Sequence, residues 1–579
     1  MESNAIKTSI KDKYLKVKEL LGTKDLETAP YKSAYEAKEL LDEMKDILQD
    51  YIGKGGQLDL RENAKLAGIY YLLGTIFMST EETSSAEKHL LAAYYMVEGN
   101  SCHSENVLCA TACLNQLGLL YARTLRNDDA LRFLEKAVKI YISYTTNNAT
   151  SNVEPLSFIT MYADTPPKVE KNGTVILEKT YTLTLYYLAQ VHTALEDKEK
   201  GAMYCHETLK RQIESNDYEK VEWAVNAATM SQVLIEKNAF KEARHHLAVS
   251  MLILDQCEQD VDSDESLKGT EMLEAKKEEI TRRRSDIFRC WIKYCIMLMS
   301  YSKDRLMTDD DEPECENPPK ELQDLCFPTV KDSINENVVS CGPLLTFEDA
   351  RPVFLFGQQC CNDAMKYYTL TEHASDYTNI SMDHSQLYLA LAFFEEDEDR
   401  KCKMLKRRLD ILSNVVKNLN PTYYLDVCRE LWMSLGQICT DMIEIKGKKL
   451  RISTSSPSPT RHQILKVNTL IEEGVNYYVL FIDSFRDKRT NEMPVNYPKE
   501  HEETIILANL YAARLYSKHV RPNKEISMEI DKKSLEFYQR IVDYARTHKE
   551  IGQKMRAEVR VAEDMLILLP YKLNQMIIA

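Results

Sequence analysis

One internal spacing recurs four times in the first half of this chain, and it restricts the fold more than any other feature. In the first copy Tyr70 precedes the pair Leu73-Gly74, Phe77 follows, and Ala86, Leu90 and Ala93 come after a gap. The second copy has Leu114, Leu117-Gly118 and Tyr121, then Ala130, Leu134 and Ala137 at the same offsets. The third has Leu185, Leu188-Ala189 and His192, then Gly201, Cys205 and Thr208. The fourth has Ala227, Met230-Ser231 and Leu234, then Ala243, Leu247 and Ser250. Large residues one turn apart, flanking a Leu-small pair, mark one face of a helix. The small residue admits a second helix at close range. The later small, large, small series marks that helix returning antiparallel after a short turn.

This is the tetratricopeptide pattern. It predicts an all-α solenoid of antiparallel helix pairs. The intervals between copies exceed the roughly 34 residues of that repeat, so helices or inter-repeat loops are lengthened. The largest insertion, residues 145–180 with "NNATSN" and "DTPP", reads as loop. Composition agrees: 17 Gly and 17 Pro in 579 residues are too few for the turns of an all-β chain.

Beyond the fourth copy, Gly269 to Lys303 reads as one long helix, charged in its first half and apolar in its second. At 1.5 Å per residue it spans about 50 Å. A proline-broken, acidic stretch follows and is expected to be a long mobile loop. Helix pairs then resume, and "LWMSLGQIC" carries the first-helix signature again as Trp432, Leu435-Gly436 and Cys439. The expected organisation is N-terminal helices over 1–60, repeats over 61–264, a linking helix over 265–303, the acidic loop over 304–345 and C-terminal pairs over 346–579. These make two helical halves.

Several function classes are disfavoured. A formal net charge of −16 makes nucleic acid a poor partner and a basic partner a good one. No apolar stretch is long enough for a membrane span, and the charged N-terminus lacks the apolar core of a signal peptide. The 15 Cys include no C-x-x-C pair, which reads as reduced thiols in a cytoplasmic protein. His192, Cys205 and His206 lie close together in sequence, but His192 and Cys205 hold core positions of the repeat. His206 lies about 100° round the helix from Cys205, and His245-His246 diverge in the same way. No metal, cofactor or enzymatic constellation is expected.

The stretches "LYYLAQVHTALEDKEKGAMYCHETLKRQIE", "EWAVNAATMSQ", "EARHHL", "RCWIKYCIMLM", "LAFFEEDEDRKCKMLKRRLDIL", "LNPTYYL", "YYVLFIDSFRD", "ARLYSK" and "IVDYA" run in order from about residue 181 to 547. In them the chain resembles the KIF-binding protein family. The resemblance implies a tetratricopeptide-like solenoid that binds the motor domain of a subset of kinesins. It implies that binding covers the motor's microtubule-facing surface and blocks attachment to the track. A cytoplasmic, cytoskeleton-associated location and roles in axonal transport and neuronal development follow from the same resemblance, with no direct microtubule binding.

The repeat frame nominates a binding face. First-helix residues that turn away from the second helix are Asn115, Tyr186, Gln190 and Gln232, joined one turn on by Arg123 and Glu236. The run Asp309, Asp310, Asp311 and Glu312 is expected to add attraction to a basic motor face. An alternative is a tetratricopeptide adaptor that grips a chaperone's C-terminal carboxylate. That clamp needs Lys and Asn where this chain has Tyr71, Thr75, Asn115 and Leu119, and one of the four fits.

Overall fold

Among the described residues, seven of the helices begin at residues whose side chains offer acceptors to unpaired backbone N–H groups. Asn172, Asp197, Glu219, Thr270 and Asp397 each accept from the first turn that follows. Thr346 with Asp349, and Thr460 with Gln463, form reciprocal capping boxes. In the computed structural model, residues 2–25, 30–53, 60–148, 153–163, 172–267, 269–308, 318–334, 338–452, 460–487, 489–520 and 524–578 are described.

In chain order the α-helices are α1 (Glu2–Leu21), α2 (Lys32–Gly53), α3 (Leu60–Ser79), α4 (Thr83–Val97), α5 (Val107–Arg123), α6 (Asn127–Asn148) and α7 (Phe158–Ala163). Then come α8 (Gly173–Ala194), α9 (Lys198–Ser215), α10 (Lys220–Glu236), α11 (Phe240–Ser263) and α12 (Glu271–Met307). The remainder are α13 (Phe347–Tyr367), α14 (Ala374–Phe394), α15 (Glu398–Asn418), α16 (Leu425–Ile452), α17 (Arg461–Asp483), α18 (Glu502–Ser517), α19 (Lys524–Thr547), α20 (Lys549–Lys554) and α21 (Arg556–Ile578). No strand occurs among the described residues. The fold is the expected all-α, tetratricopeptide-like stack of antiparallel pairs in two halves.

The repeat spacing works as the residue sizes require. A Cβ on Gly74 would lie 2.7 Å from the Leu90 side chain, and one on Gly118 2.6 Å from Leu134. Gly436 in α16 meets Tyr478 of α17 at 2.6 Å in the same sense. Leu90, Leu134, Ala86, Ala93, Ala130 and Ala137 are fully buried.

The four copies also share a turn that the sequence does not announce. Seven residues beyond the small position, Glu81, Leu125, Glu196 and Asn238 adopt left-handed conformations with φ of 63°, 60°, 63° and 59°. One residue further, Glu82, Arg126, Asp197 and Ala239 donate their N–H to the carbonyls of Phe77, Tyr121, His192 and Leu234, at 2.8–2.9 Å. This Schellman closure reverses the chain within three residues and fixes each pair's antiparallel docking.

The chain divides into two compact units. The first is Met1–Ile253 with Glu316–Ile334; the second is Leu254–Cys315 with Asn335–Ala579. The division falls inside α11. In the first unit an aromatic ladder joins α6, α8 and α9. Tyr141 and Tyr181 stack at 3.7 Å, the Arg211 guanidinium lies 4.8 Å from the Tyr181 ring, and Arg211 pairs with Glu178. In the second unit the apolar half of α12 buries Ile287, Trp291, Ile292, Cys295 and Leu298, and α12 packs on α13 and α14. Its charged half pairs with the end of α11, Arg284 with Asp255 and Glu258, and Lys277 with Asp262.

Two expected loops are not loops throughout. Within the 145–180 insertion, α6 continues to Asn148, α8 starts at Gly173, and α7 lies between. Met161 and Tyr162 of α7 are buried, and the Tyr162 hydroxyl donates to the Lys65 carbonyl. Within 304–345, α12 runs on to Met307, and residues 318–334 hold two short 3-10 turns with Leu322 and Phe327 fully buried. In both cases a few apolar residues anchor a segment whose composition otherwise reads as polar loop.

Candidate partner-binding face

The face nominated by the repeat frame is divided by the structure. On α8, Leu183, Tyr186 and Gln190 are exposed and share one side, being three and four residues apart. Leu185, Leu188, Val191 and His192 point into the core. On α10 the exposed line is Glu222, Asn226, Thr229 and Glu236. Gln232 is half-buried, and its amide donates to the Ser231 hydroxyl at 3.1 Å. Glu236 forms an exposed ion pair with Lys198 at 2.9 Å, an arrangement worth little in stability. Arg123 is exposed at the end of α5 and acts electrostatically on the Tyr187 hydroxyl of α8.

Asn115 is a correction. It is buried at 1 % exposure, its amide donates to the Thr180 carbonyl at 2.9 Å, and its carbonyl accepts from the Thr184 hydroxyl at 2.8 Å. The cause is the length of α8. Its first three turns precede the repeat core and lie against α5, covering the position that stays open on α8 as Tyr186. Gln116 and Leu119, with Ala112 and Ala122, are the partly open residues of α5 instead. Leu183, Asn226 and Thr229 escaped the frame because it names only the residue after the first large position and the residue after the small one. Asp309, Asp310, Asp311 and Glu312 lie outside the described residues.

The carboxylate-clamp positions are occupied otherwise. The Tyr71 ring stacks on Phe158 of α7 at 5.4 Å, the Thr75 hydroxyl donates to its own helix at Leu72, and Asn115 is buried.

The histidines are placed partly as expected. His192 is buried against Tyr204, and burial lowers its pKa while Asp197, 3.4 Å away, offsets part of the shift. Cys205 is half-buried, and desolvation raises its thiol to about 11. His206 and the His245-His246 pair are a correction. They do not diverge: α9 and α11 bring His206 Nδ1 within 3.0 Å of His246 Nε2, with both rings buried. Rotation round one helix says nothing about a neighbouring helix that faces it. Among the described residues no group of three or more His, Cys, Asp or Glu is disposed to hold a metal ion, and no helix is long and apolar enough to cross a membrane.

Residues 221–576, from the start of α10 nearly to the end, match the family model described as KIF-1 binding protein C terminal. The chain belongs to the KIF-binding protein family. The KIF-binding protein of Gallus gallus is 34% identical over 582 residues, covering 96% of this chain and 94% of the relative. That of Drosophila melanogaster is 31% identical, covering 95% and 93%. A solved structure titled as a cryo-EM map of KIFBP covers 99% of this chain and 100% of its own, with a TM-score of 0.64 at 26% identity. The family match takes in Gln232 and Glu236 on α10, and leaves Arg123, Tyr186 and Gln190 upstream of it.

Proposed function

We propose that this chain binds the motor domains of a subset of kinesins and masks the surface by which they hold the microtubule. The observation that carries this reading is near full-length similarity to proteins named as KIF-binding. The mechanism is steric and electrostatic and needs no catalysis. Microtubules are acidic and the motor face that meets them is basic. A chain of net charge −16 is therefore repelled by the track and drawn to the motor. The exposed side of α8, where Leu183 and Tyr186 stand beside Gln190, combines apolar area with hydrogen-bonding capacity, which suits a partner helix laid in a groove. The run from Asp309 to Glu312 adds to attraction at a distance. The protein acts in the cytoplasm at the cytoskeleton, in microtubule-based transport and neuronal development.

The test is co-sedimentation of a purified kinesin motor domain with microtubules as this chain is titrated in. The motor is expected to move from pellet to supernatant, with the chain and motor co-eluting on gel filtration. Tyr186→Ala combined with Gln190→Ala and Gln232→Ala should weaken that effect without lowering Tm. If every kinesin motor tested stays on microtubules in the presence of the parent chain, the masking reading fails. Capture without displacement would favour a scaffold that binds elsewhere on its partner.

A further inference from the structure

The stretch between α12 and α13 returns to the first unit and is held there by three histidines. Phe327 is fully buried, its ring centroid 4.8 Å from those of His206 and His246, 5.6 Å from His245 and 5.1 Å from Trp223. The Phe327 N–H donates to His245 Nε2 at 2.8 Å. Three residues before, the Asp324 N–H donates to the buried Glu242 carboxylate at 3.0 Å, and the Asp324 carboxylate pairs with Lys241 at 3.1 Å. Leu322 fills the remaining contact at 0 % exposure.

The hydrogen bonds themselves assign the protons. His246 Nδ1 faces the Glu242 carbonyl at 2.7 Å, so that nitrogen carries the hydrogen and Nε2 is bare. His206 Nδ1, 3.0 Å from that bare nitrogen, must then be the donor. His245 Nε2 accepts from Phe327, so it too is bare. A second proton on His245 would point at the Phe327 N–H, and a second proton on His246 would point at the His206 N–H. Each removes a hydrogen bond in a site from which water is excluded.

We propose that residues 318–334 form an acid-released strap, docked on α9, α10 and α11 while His206, His245 and His246 are neutral and freed when they take up protons.

The surrounding charges lean the same way. Lys210 on α9 opposes a further positive charge on His206, and His206 and His245 oppose one on His246. Glu242 favours one but is already engaged by the Asp324 N–H, and Asp324 by Lys241. The α10 face contributes Trp223, which is uncharged, and the strap contributes Phe327 and Cys326. The Cys326 backbone offsets part of the shift at His206. Burial first, then Lys210 and His245, push His206 down to about 4, and burial with His206 pushes His246 well below its ordinary value. Depressed values mean that the released state binds more protons than the docked one. Docking is therefore complete above the free-histidine value near 6.5 and is lost as pH falls towards about 4. At pH 5.5 the depression of His206 alone, from about 6.5 to about 4, weakens docking about tenfold.

The test is amide hydrogen exchange of the intact chain at pH 7.5 and pH 5.5, corrected for the intrinsic pH dependence of exchange. Protection of Leu322 to Val330 is expected to fall by tenfold or more on acidification, while α5 and α6 keep theirs. His245→Gln supplies an acceptor that cannot be protonated and should retain more protection at pH 5.5 than the parent. Phe327→Ala should leave the segment unprotected at both pH values with the helices intact. Equal protection of the parent segment at the two pH values overturns the proposal. So does loss in α5 and α6 in step with the strap, since acid then acts on the whole unit. Should His245→Gln fail to fold, the parent profile and Phe327→Ala decide the matter alone.

Discussion

Leu125 stands at 85 % exposure with a φ of 60°, a conformation that costs an L-residue with a side chain about 1 kcal/mol and glycine almost nothing. Its neighbours in the other copies, Glu81, Glu196 and Asn238, carry the same strain. Leu125→Gly is expected to stabilise the chain by about 0.5–1 kcal/mol, read as a rise in Tm. The small residues inside the pairs behave oppositely. Gly118→Leu should cost about 1–3 kcal/mol, because Leu134 already fills the space and overpacking forces strain. A Cβ on Gly447 would meet nothing within 4 Å, so Gly447→Ala should be neutral or stabilising by up to about 1 kcal/mol. A Tm lowered equally by both substitutions would show that helix-pair packing is not what Gly118 serves. The thiols give a check on burial. Cys205 and Cys290 are raised to about 11 by desolvation, so at pH 8 they are almost wholly protonated and unreactive. Alkylation at pH 8 followed by mass spectrometry should label exposed Cys102 well before either.

At the scale of elements, α7 shows how a short helix can hold long ones. Six residues carry Phe158 onto Tyr71 of α3, and Tyr162 onto Tyr14 of α1 and the Lys65 carbonyl of α3. Gly68 on α3 is the close approach that admits them, since a Cβ there would collide with the Tyr162 and Phe158 side chains. Tyr162→Phe should cost about 0.5–1.5 kcal/mol through the lost hydrogen bond to the Lys65 carbonyl, which keeps its bond within α3. Tyr162→Ala should cost about 3–5 kcal/mol and expose α1 to hydrogen exchange ahead of α5 and α6. Unchanged protection of α1 in Tyr162→Ala would mean that α7 merely rests on its neighbours. The first-helix spacing was legible in sequence because each large and small residue recurs at fixed offsets. The turn was not, because non-glycine residues occupy its left-handed position. Nor was α7, because Phe158, Met161 and Tyr162 are too few to establish a period.

For the whole molecule, the net charge of −16 decides how a basic partner is met. Association with a kinesin motor domain is expected to slow severalfold between low salt and roughly 300 mM salt, as the Debye length shortens, with dissociation changing much less. Neutralising Asp309, Asp310, Asp311 and Glu312 together should flatten that dependence. Stopped-flow mixing over a salt series measures both; an association rate indifferent to salt would remove electrostatics from the proposed mechanism.

The sequence by itself determined the helix-pair architecture, the inward faces of α3, α5, α8 and α10, and the family, because these rest on local periodicity and on long runs of shared residues. Tertiary structure alone decided which outward positions stay open. Asn115 obeys the same spacing as Tyr186, yet an extended α8 lies over it. It also decided that His206 meets His246 and that Phe327 is clamped between them, since such contacts join residues 40 and more positions apart whose relative placement no local period encodes.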